Sequence, residues 1–193
     1  MYLTKVTLDV NAIKRFGLSD AYKIHAFAYS CLNTKTKEER LLYVEKNAAR
    51  GGKQLLLLSE TVPEIKEGIV ALTTEVTDNF LSEKEYRFEV LMNPVKKNAS
   101  TGKREPVMGQ LPLLEWFKEH SSKWGFEPDV ETLEAQTLPS LVLLKDGREC
   151  RFHRVKFSGR LKVVDDVAFK AAFKAGLGHS KAFGFGLLQL MPI

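Results

Sequence analysis

Near the end of the chain two glycine pairs, Gly176-Leu177-Gly178 and Gly184-Phe185-Gly186, bracket the five residues His179-Ser180-Lys181-Ala182-Phe183. Four of the thirteen glycines fall within these eleven residues. Glycine is used where a backbone takes positive φ or approaches another group with no Cβ between, so the spacing describes a shaped loop. Asp165 to Ala175 before it has a helical period, and Leu187-Leu188-Gln189-Leu190 after it reads as a short apolar strand. The order helix, loop, strand argues against the common phosphate-cradling loops, which need the strand first so that a helix N-terminus meets the phosphate. Lys181-Ala182-Phe183-Gly184-Phe185-Gly186 imitates the aromatic RNA-stacking strand of an RRM. That strand is the third of four, and the seven residues after Gly186 leave no room for the helix and strand that must follow.

The rest of the chain reads as two passes of one pattern. In the first, Tyr2 to Val10 alternates as a strand, Ser19 to Leu32 is helical with Ser19 as N-cap, and Leu41 to Glu45 and Gln54 to Ser59 are strand-like. Pro63 to Gly68 has room for a short helix, and Val70 to Val76 is strand-like. In the second, Tyr86 to Met92 is a strand, Leu111 to Trp124 a helix, Val130 to Thr137 and Leu141 to Val164 contain strands, and Asp165 to Ala175 is the last helix. Both passes fit β-α-β-β-α-β, so the expected fold is α+β with two tandem ferredoxin-like domains. The boundaries are 1–80 and 85–193, with the join in the polar stretch Asp78 to Lys84. Asn93 to Gln110 is a long connection carrying Lys96, Lys97, Lys103 and Arg104, and long loops are where binding residues tend to sit.

The net charge is +5, and from Lys145 to Lys162 seven Lys and Arg stand against two acids, so this segment alone carries the whole excess. Within it Arg154, Lys156, Arg160 and Lys162 share one strand face while Val155, Phe157, Leu161 and Val163 share the other. Such a face is either a solvated surface or a track for a polyanion backbone. No stretch approaches the roughly 18 apolar residues of a membrane span, and the start has no signal-peptide layout, so the expectation is a cytoplasmic protein without a membrane partner. Cys31 and Cys150 are isolated and expected as reduced, buried thiols. His25, His120, His153 and His179 are scattered without ligand spacing, so no metal site and no cofactor are expected.

Catalytic chemistry is carried best by the helix Ser19 to Leu32. At about 100° per residue Ile24, Phe27, Ala28 and Cys31 gather on an apolar face, and Tyr22, His25 and Tyr29 gather on another. Tyr22 and His25 are neighbours three residues apart. A histidine changes charge near neutrality and serves as general acid or base, while a tyrosine can orient it or donate to a phosphate oxygen. The same pattern also describes a histidine packed at the edge of a helix, and the helix alone does not separate these readings. RNA suits metal-free cleavage because its 2′-OH already lies beside the scissile phosphate.

Several motifs together resemble the CRISPR-associated endoribonuclease of the CasE type, the precursor-RNA-processing subunit of the Cascade complex. They are Met1-Tyr2-Leu3-Thr4-Lys5-Val6, Tyr22-Lys23-Ile24-His25, Val44-Glu45-Lys46, Phe88-Glu89-Val90-Leu91-Met92-Asn93-Pro94-Val95-Lys96, Thr101-Gly102-Lys103-Arg104, Phe157-Ser158-Gly159-Arg160-Leu161 and the glycine loop itself. The resemblance implies two tandem ferredoxin-like domains that bind the stem-loop of a CRISPR repeat and cut once at its 3′ base without metal. It implies a 5′-hydroxyl and a 2′,3′-cyclic or 3′ phosphate, with the hairpin product retained beside other Cascade subunits, one copy per effector complex. The family's catalytic histidine falls on His25 and its partner tyrosine on Tyr22. RNA contacts are expected from Lys96, Lys103, Arg104, Arg148, Arg151, Arg154, Lys156, Arg160, His179, Ser180 and Lys181. The helix end Ser30-Cys31-Leu32-Asn33 departs from relatives that carry further polar or basic groups there. The alternative is a subunit that binds the crRNA hairpin without cutting it.

Overall fold

A computed structural model describes the backbone of residues 1–32, 40–145 and 148–193, and the side chains of all of these except 144, 145 and 148. The first half contains β1 (Tyr2–Leu8), α1 (Val10–Arg15), α2 (Ala21–Ser30), β2 (Leu42–Asn47), β3 (Lys53–Ser59) and β4 (Val70–Glu75). Its sheet runs β2-β3-β1-β4 with every neighbouring pair antiparallel. Period-two alternation puts Val6, Leu8, Leu55 and Leu57 on one face, where Ala12, Ile24, Phe27 and Ala28 of α1 and α2 cover them.

Three local expectations change here. Asp20, not Ser19, caps α2: its carboxylate accepts from Lys23 N at 3.0 Å, and Ser19 Oγ donates to the same carboxylate at 3.2 Å. A carboxylate is favoured at that position because its charge meets the positive end of the helix. α1 is an additional helix, started by Asp9, whose side chain accepts from Ala12 N at 2.7 Å. Pro63 to Gly68 forms no helix but ends in a turn. Glu64 N donates to Cys31 O at 2.7 Å and Glu67 O accepts from Arg15 Nη2 at 2.5 Å. Six residues beginning with proline do not offset the cost of nucleating a helix when their backbone groups find partners elsewhere.

The second half contains β5 (Glu85–Met92), a small hairpin of β6 (Val95–Lys97) and β7 (Arg104–Pro106), α3 (Gln110–Ser121), β8 (Phe126–Pro128), β9 (Glu134–Lys145), β10 (Arg148–Val163), α4 (Asp166–Ala175) and β11 (Gln189–Pro192). Its sheet runs β11-β5-β10, with β8 and β9 both on the far side of β10. Each half therefore has the order fourth, first, third, second, which is the ferredoxin-like arrangement, and the fold is α+β with two such units in tandem. The alternation expected in β10 holds: Val155, Phe157, Leu161 and Val163 are buried, while Arg154, Lys156, Arg160 and Lys162 are not. Phe117 of α3 stacks on Phe88 and Phe157 at ring separations of 5.5 and 4.5 Å. Cys31 is buried and Cys150 is half-buried, both as free thiols.

β2 is what joins the halves. Tyr43 belongs to the core of the first half, while Leu42 and Val44, with Leu58, belong to the core of the second. The glycine loop is folded against this strand. Leu177 N donates to Gly186 O and Gly186 N to Leu91 O, each at 2.8 Å, so the glycine pairs close on one another and on β5. A Cβ on Gly176 would lie 2.6 Å from Leu42 Cδ2, and one on Gly186 would lie 2.3 Å from Leu177 O with φ at +81°. Gly186→Ala is expected to cost at least about 2 kcal/mol, a fall in Tm of roughly 4–8 °C. Thermal unfolding checks this, and an unchanged Tm would show that the loop tolerates a side chain there.

Candidate active site and nucleic-acid interface

The apolar side of α2 is committed to the first core, which turns His25, with Tyr22 and Tyr29 on either side of it along the helix, so that the imidazole meets the glycine loop. The loop answers with the 3₁₀ turn Lys181–Phe183. His25 Nδ1 lies 2.5 Å from Ala182 O, and a carbonyl only accepts, so Nδ1 carries the proton and donates. The neutral ring then has a bare Nε2, the nitrogen able to take up and return a proton. Aromatic rings frame the imidazole: Tyr29 at 4.5 Å, Phe183 at 5.4 Å, Tyr22 at 6.3 Å and Tyr43 at 6.5 Å between ring centres. Tyr22 is 61% exposed and free to meet a ligand. Burial pushes the Tyr29 phenol up, partly offset by Arg40, and burial pushes the Tyr43 phenol up further.

Cationic groups border this centre. Lys181 sits half-buried on the loop, and burial together with the charge of Arg40 holds its ammonium below the ordinary lysine value. Partial burial, then the charges of Arg104, Lys181 and His120, hold the His179 imidazole down. The structure thus brings Arg104, His179, Ser180 and Lys181 into one neighbourhood, and adds His120 to it. Lys96, Lys103 and Arg104 are exposed on the β6–β7 hairpin.

A cleft of about 560 Å³ has Tyr43, Lys46, Glu89, Arg154, Lys156 and Phe183 among its walls, and so reaches two ring neighbours of His25, Tyr43 and Phe183, though not the imidazole itself. Lys156 and Arg154 therefore lie in continuity with the imidazole through Phe183. Glu89 pairs with Lys46 at 2.8 Å and with Lys156 at 3.8 Å, linking the halves across the cleft. Burial would raise the Glu89 carboxyl, but the Lys46 bond and charge and the Lys156 charge outweigh it and hold it low. Arg151 is exposed and paired with Glu149 at 2.8 Å. The Arg148 side chain lies outside the described residues. Arg160 stands apart: it is four residues, about 13 Å, along β10 from Lys156 and faces Arg87 across the strands. Among the described residues no three His, Cys, Asp or Glu side chains converge as metal ligands.

Sequence reasoning missed the Ala182 carbonyl, Phe183, Tyr43 and Arg87 as parts of these surfaces. Only Tyr43 and Phe183 had a signal, each being an aromatic residue in or beside a motif already singled out.

Fold and site define a tandem ferredoxin-like protein whose imidazole, carried by the first half, is held by a glycine loop of the second and bordered by cations. The sequence model of the CRISPR associated protein family matches residues 1–192, and the chain belongs to that family. It is similar to the CRISPR-associated endoribonuclease Cse3 of Thermus thermophilus, 29% identical over 213 residues, and to the Cascade subunit CasE of Escherichia coli K12, 26% identical over 207 residues, with full coverage of both chains in each case. A structure of CRISPR endoribonuclease Cse3 bound to 19 nt RNA superposes with a TM-score of 0.85 at 26% identity, covering all of both chains. Thermus thermophilus Cse3 bound to an RNA representing a pre-cleavage complex gives 0.83 at 25% identity, covering 99% of this chain and 98% of that one. No helix among the described residues is long and apolar enough to cross a membrane.

One neighbour of the loop makes stability depend on pH. His153 Nε2 is buried without a hydrogen-bond partner among the described residues, and burial holds its imidazole below the ordinary 6.5. A folded value below the unfolded one means that its contribution is complete above about 6.5 and is lost as pH falls from there toward the folded value. The native protein should therefore lose more stability between pH 7.5 and 5.5 than His153→Gln does. Denaturant titrations at both pH values measure this, and equal losses would remove His153 as the cause.

Proposed function

We propose that this chain is a metal-independent endoribonuclease that binds the stem-loop of CRISPR repeat RNA, cuts at its 3′ base and keeps the mature crRNA within a Cascade complex. Residues 1–80 form the domain that carries the proton-transfer helix, and residues 85–193 the domain that grips RNA. The observation that carries this reading is the His25 Nδ1 bond to Ala182 O, which leaves Nε2 as a proton carrier beside a cationic cleft. The named activity of Cse3 and its RNA-bound structures support it, and CasE's name as a Cascade subunit supports the assembly.

The 2′-oxygen attacks the adjacent phosphorus, a P–O2′ bond forms, and the P–O5′ bond breaks. O2′ loses a proton and O5′ gains one, giving a 2′,3′-cyclic phosphate and a 5′-hydroxyl. His25 Nε2 is the site through which a proton passes, and Tyr22 donates to a non-bridging phosphate oxygen. The nucleophile belongs to the substrate, so the protein must orient it, move protons and stabilise charge. RNA contacts come from Lys96, Lys103, Arg104, Arg148, Arg151, Arg154, Lys156, His179, Ser180 and Lys181, with Arg160 adding one from a surface apart from the cleft. A-form stems are read mainly by backbone and shape, which suits such a set.

His25→Ala should lower cleavage of a repeat hairpin in EDTA by about 10²- to 10⁴-fold while leaving hairpin binding nearly unchanged. Full activity in that variant overturns the role of His25. Wild-type protein that binds the hairpin and never cuts it is instead the non-cleaving subunit. Arg154→Ala and Lys156→Ala should each weaken binding and flatten the plot of log K against log salt by about 0.7–0.9 for each phosphate that is no longer neutralised. Titrations at several salt concentrations read this, and an unchanged slope removes that residue from the RNA site.

A further inference from the structure

Asn93 lies between β5 and Pro94, half-buried, and its amide bonds in two directions. Oδ1 accepts from His153 N at 3.1 Å, and Nδ2 donates to Ser180 Oγ at 3.1 Å. The orientation of the amide follows from chemistry, because a backbone N–H only donates and must face Oδ1. Both partners are irregular points of the backbone. At His153 the pairing of β10 with β9 shifts register, between Phe152 and Arg154. Ser180 has φ at +63°, a conformation that a residue with a Cβ keeps only where its surroundings hold it.

What Ser180 begins is the turn Lys181–Phe183, and that turn presents Ala182 O to His25 Nδ1 and the Phe183 ring to the imidazole. Phe183 also meets Phe152 at 5.2 Å, on the other side of the register shift. One break in the cationic strand is therefore tied to one turn twice, by a polar link through Asn93 and an apolar link through Phe152. Asn93 lies at one remove from His25, bonded to the residue that begins the turn bearing the acceptor.

We propose that Asn93 is a positioning residue for His25, holding the Ser180 turn in register with β10 so that Ala182 O keeps the proton on Nδ1 and leaves Nε2 free. The consequence for rate rests on the endoribonuclease reading; the consequence for the ring does not. Asn93→Leu keeps the number and branching of side-chain heavy atoms but neither donates nor accepts, and Ser180→Ala removes the same bond from the other end. Two readouts are needed. The first is the ¹⁵N chemical shifts of His25 in the full chain without RNA, which report the tautomer. The second is the single-turnover cleavage rate with saturating repeat hairpin in EDTA.

In the folded variants the neutral His25 should move from the Nδ1-protonated form toward a mixture containing Nε2–H. The bound-state rate should fall about ten- to hundred-fold, as expected for a displaced catalytic group, with the hairpin Kd of Asn93→Leu unchanged. Wild-type ¹⁵N shifts in both variants overturn the proposal whatever the rate. A shifted tautomer with an unchanged rate, or a loss confined to RNA affinity in Asn93→Leu, overturns its role in the reaction. Failure of the wild-type protein to cut the hairpin overturns the endoribonuclease reading instead, and the tautomer measurement still decides what Asn93 does.

Discussion

The docking of the glycine loop against β2 is the constraint on which the rest of the molecule depends. The first three residues of β2 are buried on both faces, with Tyr43 in one core and Leu42 and Val44 in the other, so the strand cannot shift without opening both. Burying Leu42, Val44 and Leu58 stabilises the junction by about 1.5–3 kcal/mol per side chain. A single hydrogen bond such as His25 to Ala182 nets only about 0.5–1.5 kcal/mol. Apolar packing therefore places the loop, and the polar contact only orients the ring. That ordering explains how residues 157 positions apart in sequence come to share one hydrogen bond.

Much of this architecture was legible because it depends on periodicity. The alternation in β10 and the two-sided face of α2 follow from where apolar residues recur, and both appear in the structure with the expected sides buried. What could not be read were features decided by a partner remote in sequence. Pro63 to Gly68 has helix-compatible residues, yet its backbone groups go to Cys31 and Arg15. Ser19 and Asp20 are both good caps, and only the folded turn shows which one is used. The Ala182 carbonyl has no signature at all, since every residue carries one. The glycine loop could be recognised as shaped, but not as the wall against which His25 rests.

Charge across the cleft follows a similar division between placing and holding. Glu89 gathers Lys46 from the first half and Lys156 from the second, each about one-third exposed. Ion pairs with this much solvent contact contribute about 0–1 kcal/mol. They are too weak to hold the halves together and are not needed for it, because the β2 junction already does so. Pairs this weak would leave both cations easy to transfer from a carboxylate to a phosphate, as the proposed RNA contact requires. Arg160, opposite Arg87 and well along the strand, makes no ion pair among the described residues and lies in a separate hollow that also holds Glu134.

Around the imidazole the remaining polar groups are biased against changing charge. Burial keeps the Tyr29 and Tyr43 phenols protonated well past neutrality, so they remain donors. Burial and the charge of Arg40 push the Lys181 ammonium below the ordinary lysine value, and a nearby anion would push it back up. A phosphate entering this corner would supply that anion, while leaving both phenols uncharged. Proton movement under the proposed reaction is then confined to a ring whose Nδ1 is already committed to a carbonyl. The site owes this economy to the loop backbone, because a side chain at Ala182's acceptor position would titrate or swing away, whereas a peptide carbonyl does neither.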